Sequence, residues 1–381
     1  MTLVHYMPWF SSEPVSGDWG WHWTMGHFDP GRLTDDGNRE VAAHDYPLIG
    51  PYDSSDPDVL EYHVLLMKLA GIDGAIVDWY GIRDFEDYAV IHRNTEHLIT
   101  YLRMAGLKFA VCYEDQTVRH MVEGGVLLAG QDVAHGTEVF EWLQQNWFAE
   151  DVYLKVDGRP VLLVFGPQHF AKAQWEEITA GLRPPPRLYA LPHLSREAGA
   201  DGTFGWPPVN GGGEVTPAAW RYYLSALYAR GRQGESVIAP VFPKFHDIYE
   251  QAGLHDSYGT LDDREGETFG ETLDRAWESP SRMIQIITWN DHGEGTAIEP
   301  TAADGYRYLE AVQRRRMQNH EMFAFGAQDL RLPLKLYDLR KQPSGDPAAT
   351  QLLDRAASLI LAADCDAARE LLTDAVSLSR R

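Results

Sequence analysis

Cysteine and long apolar runs are both scarce in this sequence. Only two cysteines occur among the 381 residues, Cys112 and Cys365, and they lie far apart without a partner motif. A disulfide scaffold and a cysteine-based zinc site are therefore excluded. No apolar run approaches the roughly 18 residues that a transmembrane helix needs, so we expect no membrane-spanning segment.

Positive charge is also in short supply. Lysine and arginine total 33 against 56 aspartate and glutamate residues, which gives a net charge of −23 at pH 7. Phosphate backbones and anionic membrane surfaces demand a basic face, so we expect neither nucleic acid nor membrane as a partner. The first residues read as a strand without the basic segment or cleavage site of a secretory signal, from which we expect a cytoplasmic protein. A trimmed secreted form would look the same, and the oligomeric state stays open.

Apolar and aromatic residues, in contrast, are plentiful. Apolar residues make up 44% and charged residues 23% of the chain, which is typical of a soluble globular protein. Twelve tryptophans occur, and Trp9, Trp19, Trp21 and Trp23 all lie within the first 23 residues. That local density is more than core filling requires.

Short apolar runs alternate with segments of helical periodicity along most of the chain. Several runs are continuously apolar, which favours strands buried on both faces of a parallel sheet. The alternation predicts the α/β class and a single (β/α)8 barrel over residues 1–340, followed by a helical extension packed on it over 341–381. The predicted strands span 3–7, 74–79, 108–113, 161–165, 188–191, 203–206, 237–242 and 283–289. The predicted helices span 58–69, 88–104, 137–148, 171–180, 218–229, 269–277, 303–315, 348–361 and 367–378.

A doubly wound sheet is the alternative topology, but the sequence lacks its G-x-G-x-x-G turn and any P-loop. The glycine run at 211–213 is interpreted as a flexible connection. The pair Asp157-Gly158 predicts a tight hairpin that leads into the fourth strand. Residues 8–57 form a long first loop, and loops of that length in compact domains are usually functional.

A barrel of this kind has its active site at the carboxyl ends of its strands. The residues at the predicted strand ends are mainly aromatic or acidic. Aromatic faces stack on sugar rings and carboxylates accept hydrogen bonds from hydroxyls, so this mixture favours carbohydrate binding. The candidate substrate-binding residues at these ends are Tyr6, Trp9, Asp78, Trp79, Tyr80, Tyr113, Glu114, His193, Trp206, Trp289 and Asn290.

Asp291 and Glu294 form the sharpest candidate pair, three residues apart just after the eighth strand. On a turn or a helix start this spacing places both side chains on one face. Two nearby carboxylates acquire different pKa values, which leaves one protonated as a general acid and the other ionised as a base or nucleophile. Glycoside hydrolysis needs such a pair. The alternative interpretation is that Asp291 caps the following turn and that Glu294 is solvated.

The segment around this pair resembles glycoside hydrolase family 99, the endo-α-mannosidases and endo-α-mannanases. Residues 290–300 read Asn-Asp-His-Gly-Glu-Gly-Thr-Ala-Ile-Glu-Pro and are similar to the family's Asn-Glu-Trp-His-Glu-Gly-Thr-x-Ile-Glu-Pro segment. The Trp-Asn-Asp-x-Gly-Glu core also resembles family 71, the α-1,3-glucanases. Further similarities to family 99 lie at residues 5–10, 21–23, 46–56 and 71–81, so the resemblance covers about residues 3–340.

The resemblance implies a glycoside hydrolase that cleaves an α-linked glycan, of the α-mannoside or α-glucan type, without metal or cofactor. It implies Glu294 as general acid/base and Asp291 as the group that deprotonates the sugar 2-hydroxyl in a retaining reaction. Two departures bring the segment nearer to the inverting family 71, namely aspartate rather than glutamate at 291 and Gly293 in place of a histidine. The resemblance further implies that Glu114 and Arg119 bind sugar hydroxyls. His22 and Trp23, which match a His-Trp element, join the candidate site.

Three alternatives remain beside this interpretation. The 15 histidines suggest a metal site formed by His5, His22, His27 and His193, but no His-x-His ends the first strand, and we expect hydrogen-bonding histidines instead. A glycosyltransferase-like enzyme of polysaccharide synthesis is the second alternative, because a group similar to this superfamily is associated with that process; no phosphate cradle is visible for it. A sugar-binding protein with a decayed site is the third, and it requires Asp291 and Glu294 to point away from the cavity.

Overall fold

A computed structural model of the chain describes residues 1–209, 211–319, 322–342 and 347–379. The barrel strands are β1 (Thr2–Tyr6), β2 (Gly74–Trp79), β3 (Lys108–Tyr113), β4 (Arg159–Val164), β5 (Arg187–Ala190), β6 (Gly202–Phe204), β7 (Ser236–Val241) and β8 (Met283–Ile286). They close into a barrel because each strand pairs in parallel with the next and β8 pairs with β1. The predicted (β/α)8 barrel is therefore confirmed.

The strands are continuously apolar because both of their faces are buried. Successive side chains of a strand point to opposite faces, so alternate residues fill the inside of the barrel and pack beneath the helices. In β1, Leu3 belongs to the inner cluster and Val4 to the outer one. Each barrel strand supplies the inner cluster, which includes Leu3, Ile76, Ala110, Cys112, Leu163, Tyr189, Phe204, Ile238 and Met283.

Helices follow most of the strands and cover the barrel. Asp56 caps the first of them by accepting the backbone N–H of Asp58, and Pro57 occupies its first turn, as the sequence indicates. The predicted helices are present with shifted ends. The α-helices are Glu13–Ser16, Trp21–Thr24, Pro57–Ala70, Tyr88–Ala105, Gln116–Glu123, Asp132–Asn146, Lys172–Thr179, Ser195–Ala198, Pro217–Arg232, Glu267–Glu278, Arg307–Asn319, Leu332–Arg340, Pro347–Leu361 and Cys365–Ser379.

Two strand ends differ from the prediction for a visible reason. The eighth strand was expected to run through Trp289, but its regular part stops at Ile286 because Thr288 donates its N–H to the Thr296 carbonyl of the returning chain, although Trp289 still donates its N–H to the His5 carbonyl of β1 at 2.6 Å. The first strand stops at Tyr6 because the Asn290 side chain takes both the N–H and the carbonyl of the next residue, Met7. These departures shape the mouth of the barrel.

Smaller elements complete the fold. The predicted hairpin is present, with Lys155–Val156 antiparallel to the start of β4 and both turn residues, Asp157 and Gly158, at positive φ. A second two-stranded ribbon pairs Phe245–His246 with Thr260–Leu261. The glycine run at 211–213 lies beside this ribbon, where Gly212 donates its N–H to the Tyr258 carbonyl at 3.1 Å. Short 3-10 helices span Arg264–Gly266 and Asp329–Arg331.

The C-terminal helices pack on one side of the barrel. Arg340, at the end of Leu332–Arg340, bridges Glu61 on the first covering helix at 2.6 Å and Asp354 on Pro347–Leu361 at 2.9 Å. The division at residue 340 into barrel and extension stays a prediction. Within the described ranges, no helix is both long and apolar enough to cross a membrane.

Candidate active site

A cavity of about 540 Å³ opens at the carboxyl-end mouth of the barrel, and a second one of about 620 Å³ lies beside it. The two share Trp21, His22, Tyr80, Glu114 and Gln116, so they form one cleft. A volume of this size lies in the range of small-molecule binding clefts, about 300–1,000 Å³. The first cavity is lined by His5, Met7, Trp9, Phe10, Trp21, His22, Met25, Asp78, Tyr80, Glu114, Gln116, Phe165, Gln168, Trp206, Val209, Phe245, Tyr249, Tyr258, Asp291, Gly293 and Glu294.

The loop after β8 carries Asp291 and Glu294 in a fixed conformation. Its two arms hydrogen-bond to each other, with the N–H of Thr288 donating to the Thr296 carbonyl at 3.0 Å and that of Glu299 donating to the Trp289 carbonyl at 2.9 Å. A neighbouring segment holds its tip, since His246 donates its N–H to the Glu294 carbonyl at 2.9 Å. The backbone of this loop is therefore anchored on both sides.

Both carboxyl groups of the pair face the cleft. Asp291 accepts the backbone N–H of Glu294 at 2.9 Å, so it caps the turn, as the alternative interpretation expected, and it also lines the cavity. Glu294 is half-buried rather than fully solvated, and its Oε2 atom is buried without a hydrogen-bond partner. The backbone N–H of Asp291 is in turn bonded to the Thr288 hydroxyl at 2.8 Å.

The surroundings of the pair separate the pKa values of its two members. Burial raises the pKa of Asp291, but the hydrogen bond that it accepts from the backbone N–H of Glu294 opposes that shift. Burial raises the pKa of Glu294 well above its usual range, the charge of Asp291 raises it further, and the nearby Trp206 side chain offsets only part of this rise. Glu294 is therefore the member that retains a proton and Asp291 the member that ionises first.

A second pair of acids lies at the carboxyl ends of β2 and β3. Asp78 is the penultimate residue of β2 and Glu114 directly follows β3; both are more than nine-tenths buried, and both line the cavity. Burial raises the pKa of each group, and the charge of Asp78 raises that of Glu114 further. The Nε2 atom of His5 lies 4.0 Å from Asp78, yet burial lowers the pKa of His5 to about 3, so this imidazole is neutral at pH 7.

Aromatic rings form the walls. Trp9 and His22 stack with ring centroids 4.0 Å apart and planes 3° from parallel, and His22 also lies 3.3 Å from the carboxylate of Asp87. Trp206 packs edge-on against Phe165 at 4.8 Å and His5 at 5.0 Å on the other side. These surfaces suit the apolar faces of sugar rings.

The structure brings eight of the predicted site residues together at the cleft and leaves the others outside its lining. The residues at the cleft are Trp9, His22, Asp78, Tyr80, Glu114, Trp206, Asp291 and Glu294. Those buried outside the lining are Tyr6, Trp23, Trp79, Tyr113, Trp289 and Asn290. Arg119 is half-buried and reaches only the Gln168 carbonyl at 3.4 Å, and His193 is exposed beyond β5.

The pleat of the strands explains most of the buried group. Asp78 points into the barrel mouth, so its neighbour Trp79 must point outward, where it packs against Trp142 at 6.1 Å. Tyr113 lies outward in the same way beside Glu114. Asn290 has its polar atoms engaged by Met7 and Tyr52. At the end of a strand, therefore, only every second side chain points into the cleft.

Other lining residues were missed by sequence reasoning. Tyr249 and Tyr258 come from the long segment between β7 and Glu267–Glu278, which the ribbon of Phe245–His246 and Thr260–Leu261 folds over the mouth. Burial and the charges of Glu294 and Asp291 raise the pKa of Tyr249, so its hydroxyl stays protonated and can donate a hydrogen bond. The only available signal was the length of this segment.

The histidines proposed as metal ligands do not converge. His5 and His22 line the cavity, whereas His27 and His193 are exposed and outside its lining. A different set, His5, Asp78 and Cys112, places one potential ligand atom each within 4.8 Å of one another inside the barrel. Burial raises the pKa of the Cys112 thiol well above its usual range, which opposes the thiolate form that a metal binds.

Comparisons with known proteins place the fold. No family model matches the chain. Two curated relatives, both named uncharacterized protein WxcX and both from strains of Xanthomonas campestris pv. campestris, are 24% identical over 366 residues. The alignment covers 82% of this chain but 49% of each relative, so the chain spans about half the length of the curated relatives it matches.

Solved structures are similar over most of the chain. A GH99 endo-α-mannosidase from Bacteroides thetaiotaomicron, in complex with Bis-Tris propane, superposes with a TM-score of 0.63 at 18% identity, covering 84% of this chain and 98% of that one. A second structure from that organism gives 0.60 at 20% identity, with 82% and 95% covered. A glycoside hydrolase-like protein gives 0.58 at 15% identity, with 82% and 92% covered. The fold is thus that of the family 99 enzymes, as the motif resemblance predicted.

Proposed function

We propose that this protein is a glycoside hydrolase that cleaves an α-linked glycan, with Glu294 as general acid and Asp291 as its ionised partner. The observation that carries the proposal is the pair itself. Asp291 and Glu294 line one cleft, and their surroundings favour a proton on Glu294 and a charge on Asp291. A barrel fold shared with endo-α-mannosidases supports the same class of reaction.

The chemistry follows from the protonation states. Glu294 donates its proton to the glycosidic oxygen as the bond to the anomeric carbon breaks, and positive charge develops on the sugar ring. Asp291 then accepts a proton either from the sugar 2-hydroxyl, in the retaining route that family 99 resemblance implies, or from an attacking water in an inverting one. A Cβ atom on Gly293 would lie 2.8 Å from the Met25 methyl, so Met25 fills the space that a larger side chain at position 293 would need.

The lining of the cleft indicates which glycans fit. Trp9 and Trp206 offer faces for stacking, and the carboxyl groups of Asp78 and Glu114 accept from sugar hydroxyls. Among the described residues that line the two cavities there is no lysine or arginine. We therefore propose a neutral glycan as substrate, of the α-mannoside or α-glucan type.

The lack of lysine and arginine in the described lining also disfavours a glycosyltransferase-like role. A sugar nucleotide carries a diphosphate, which proteins bind with cationic side chains, a metal ion or the N–H groups of a helix start. The described lining of the first cavity offers instead the carboxyl groups of Asp78, Glu114, Asp291 and Glu294, none of which neutralises a diphosphate, and the ionised Asp291 would repel it. An inactive sugar-binding protein is disfavoured too, because it requires Asp291 and Glu294 to point away from the cavity.

A substrate panel tests the proposal. The protein is incubated with α-mannan, α-1,3-glucan and α-linked disaccharides, with a uronate-bearing α-glycan and with sugar nucleotides, and the first product is followed by NMR. We expect hydrolysis of at least one neutral α-glycan and activity on the uronate form lower by about tenfold or more, equivalent to about 1.4 kcal/mol, because the ionised Asp291 repels a second negative charge in the cleft. The anomer of the first product identifies the retaining or inverting route. Consumption of a sugar nucleotide with every neutral α-glycan left intact would overturn the proposal.

A further inference from the structure

Backbone conformation explains neither Met25 nor Gly293, two residues that line the cleft. Met25 ends the short helix Trp21–Thr24 with a φ of +44°, in the left-handed region that favours glycine. Gly293 lies between Asp291 and Glu294 in the sequence, and its φ is outside that region, so its backbone would accept a side chain. The reason for both residues must therefore lie in how they pack.

Met25 and Gly293 fit each other across the wall of the cleft. A Cβ atom on residue 293 would lie 2.8 Å from the Met25 methyl and 3.5 Å from Oδ1 of Asp291. Within the described parts of the chain, and apart from the two chain neighbours of Gly293, no other heavy atom lies within 4 Å of that point. Met25 therefore fills the space of the missing side chain, and its methyl group lies beside the carboxyl group of Asp291.

The surrounding chain holds Met25 in this place. Met25 is 5% exposed and packs with Ala42, Ile248 and Ala252 in a small apolar cluster. Ile248 donates its N–H to the Gly293 carbonyl at 3.0 Å, so the segment that packs on Met25 also holds the loop of the reacting pair. The Met25 side chain is therefore a packed part of the cleft wall rather than a loose cover over it.

We propose that Met25 is a specificity-determining residue of the hydrolase: it closes the cleft beside Asp291 and restricts the sugar bound there to units without an acyl substituent on that side. The inference rests on the proposed function, because it concerns the sugar bound at the reacting pair. A close-packed wall does not yield cheaply to a bulky group, so a substituent that meets Met25 is rejected. An acetyl group is about as large as the part of methionine beyond Cβ, so removal of that part makes room for one.

The test measures the binding of acetylated glycans. The probes are the neutral α-glycan of the panel that binds most tightly and its monoacetylated derivatives, each acetylated at a single hydroxyl. Calorimetry gives the Kd of each probe in the Glu294→Gln background, where the glycan stays intact during the titration. The Kd of each derivative relative to that of the parent glycan then measures how strongly the cleft rejects the acetyl group.

Variants of Met25 should change this rejection according to their size. With Met25 in place, we expect at least one derivative to bind about tenfold or more weakly than the parent glycan, and Met25→Ala should recover about tenfold for that derivative. Met25→Leu keeps most of the volume and should not recover it. The control Val209→Ala removes apolar volume from another part of the lining and should not recover it either.

Because the readout is binding, this inference and the proposed function can fail separately. Recovered binding in Met25→Ala, in a protein that hydrolyses no glycan, would sustain the inference and end the proposed function. Hydrolysis of a neutral glycan, with the same relative Kd values in the Met25 and Met25→Ala forms, would overturn the inference alone, and failure of every form to bind any glycan would end both. If Met25→Ala does not fold, Met25→Gly takes its place, because glycine favours the left-handed conformation.

Discussion

Gly295 closes the turn that carries Glu294, and its backbone requires glycine. Its φ is +65°, in the left-handed region, and a Cβ atom there would lie 2.7 Å from the His246 carbonyl oxygen. The same carbonyl belongs to the segment whose N–H holds Glu294. A side chain at 295 would therefore push apart the two segments that fix the acid.

We predict that Gly295→Ala lowers the free energy of unfolding by about 2–3 kcal/mol, since the left-handed conformation costs about 1 kcal/mol and the overlap adds to it. Urea unfolding measures the effect. Gly305→Ala is the matched control, because Gly305 also has positive φ, +54°, but no atom within 4 Å of the added Cβ. Equal losses in the two variants would show that the contact with His246 does not matter.

Among individual residues, the sequence predicted the two reacting carboxyl groups better than the other side chains that line the cleft. Asp291 and Glu294 were found because chemistry and motif coincide within four residues. Tyr249 was missed because nothing in its own segment indicates that a ribbon folds it over a pair some forty residues later. The prediction that Trp79 lines the site was wrong, because the sequence located the end of the strand but did not show which of its side chains point into the barrel.

Among the elements, the loop after β4 is anchored by one buried carboxylate. Asp115, just before Gln116–Glu123, accepts the backbone N–H groups of Gln168, His169 and Phe170 at 2.7, 3.0 and 2.9 Å. The Gln168 side chain lines the cleft. Asp115 is fully buried, so these three bonds are shielded from water.

We predict that Asp115→Asn lowers the free energy of unfolding by about 1.5–3 kcal/mol, because an amide accepts these hydrogen bonds less strongly than a carboxylate. The displaced Gln168 should also raise KM more than it lowers kcat. Chemical unfolding and steady-state kinetics measure the two effects. Glu123→Gln, an exposed carboxylate at the end of the same helix, is the control and should change neither. An Asp115→Asn protein as stable as the wild type would contradict this account of the loop.

The elements themselves were largely predictable because their apolar patterns are local. β2 and β3 occur where continuous apolar runs indicated them. Gln116–Glu123 was missed because it is two turns long and buries only Thr117, Val118 and Met121. Leu332–Arg340 was missed although Leu332, Leu336 and Leu339 repeat at helical spacing, so in that case the signal was present and unused.

Across the whole molecule, the excess of acidic over basic residues extends into the cleft. The chain carries a net charge of −23, and the described lining of the cleft adds no lysine or arginine to offset its carboxyl groups. Burial of these groups favours their protonated forms and leaves Asp291 as the most readily ionised. The overall charge could be read from composition, whereas the separation of protonation states depends on burial, which only the fold defines.

The central claim is that Glu294 protonates the leaving group, and Glu294→Gln tests it most directly. On the best α-glycan from the panel, the account predicts a kcat lower by about 10²–10⁴-fold, because the amide cannot donate the proton, while calorimetry gives a Kd within a few-fold of the wild type. Glu123→Gln should keep the wild-type kcat. A Glu294→Gln variant that hydrolyses the same glycan at nearly the wild-type rate would contradict the account.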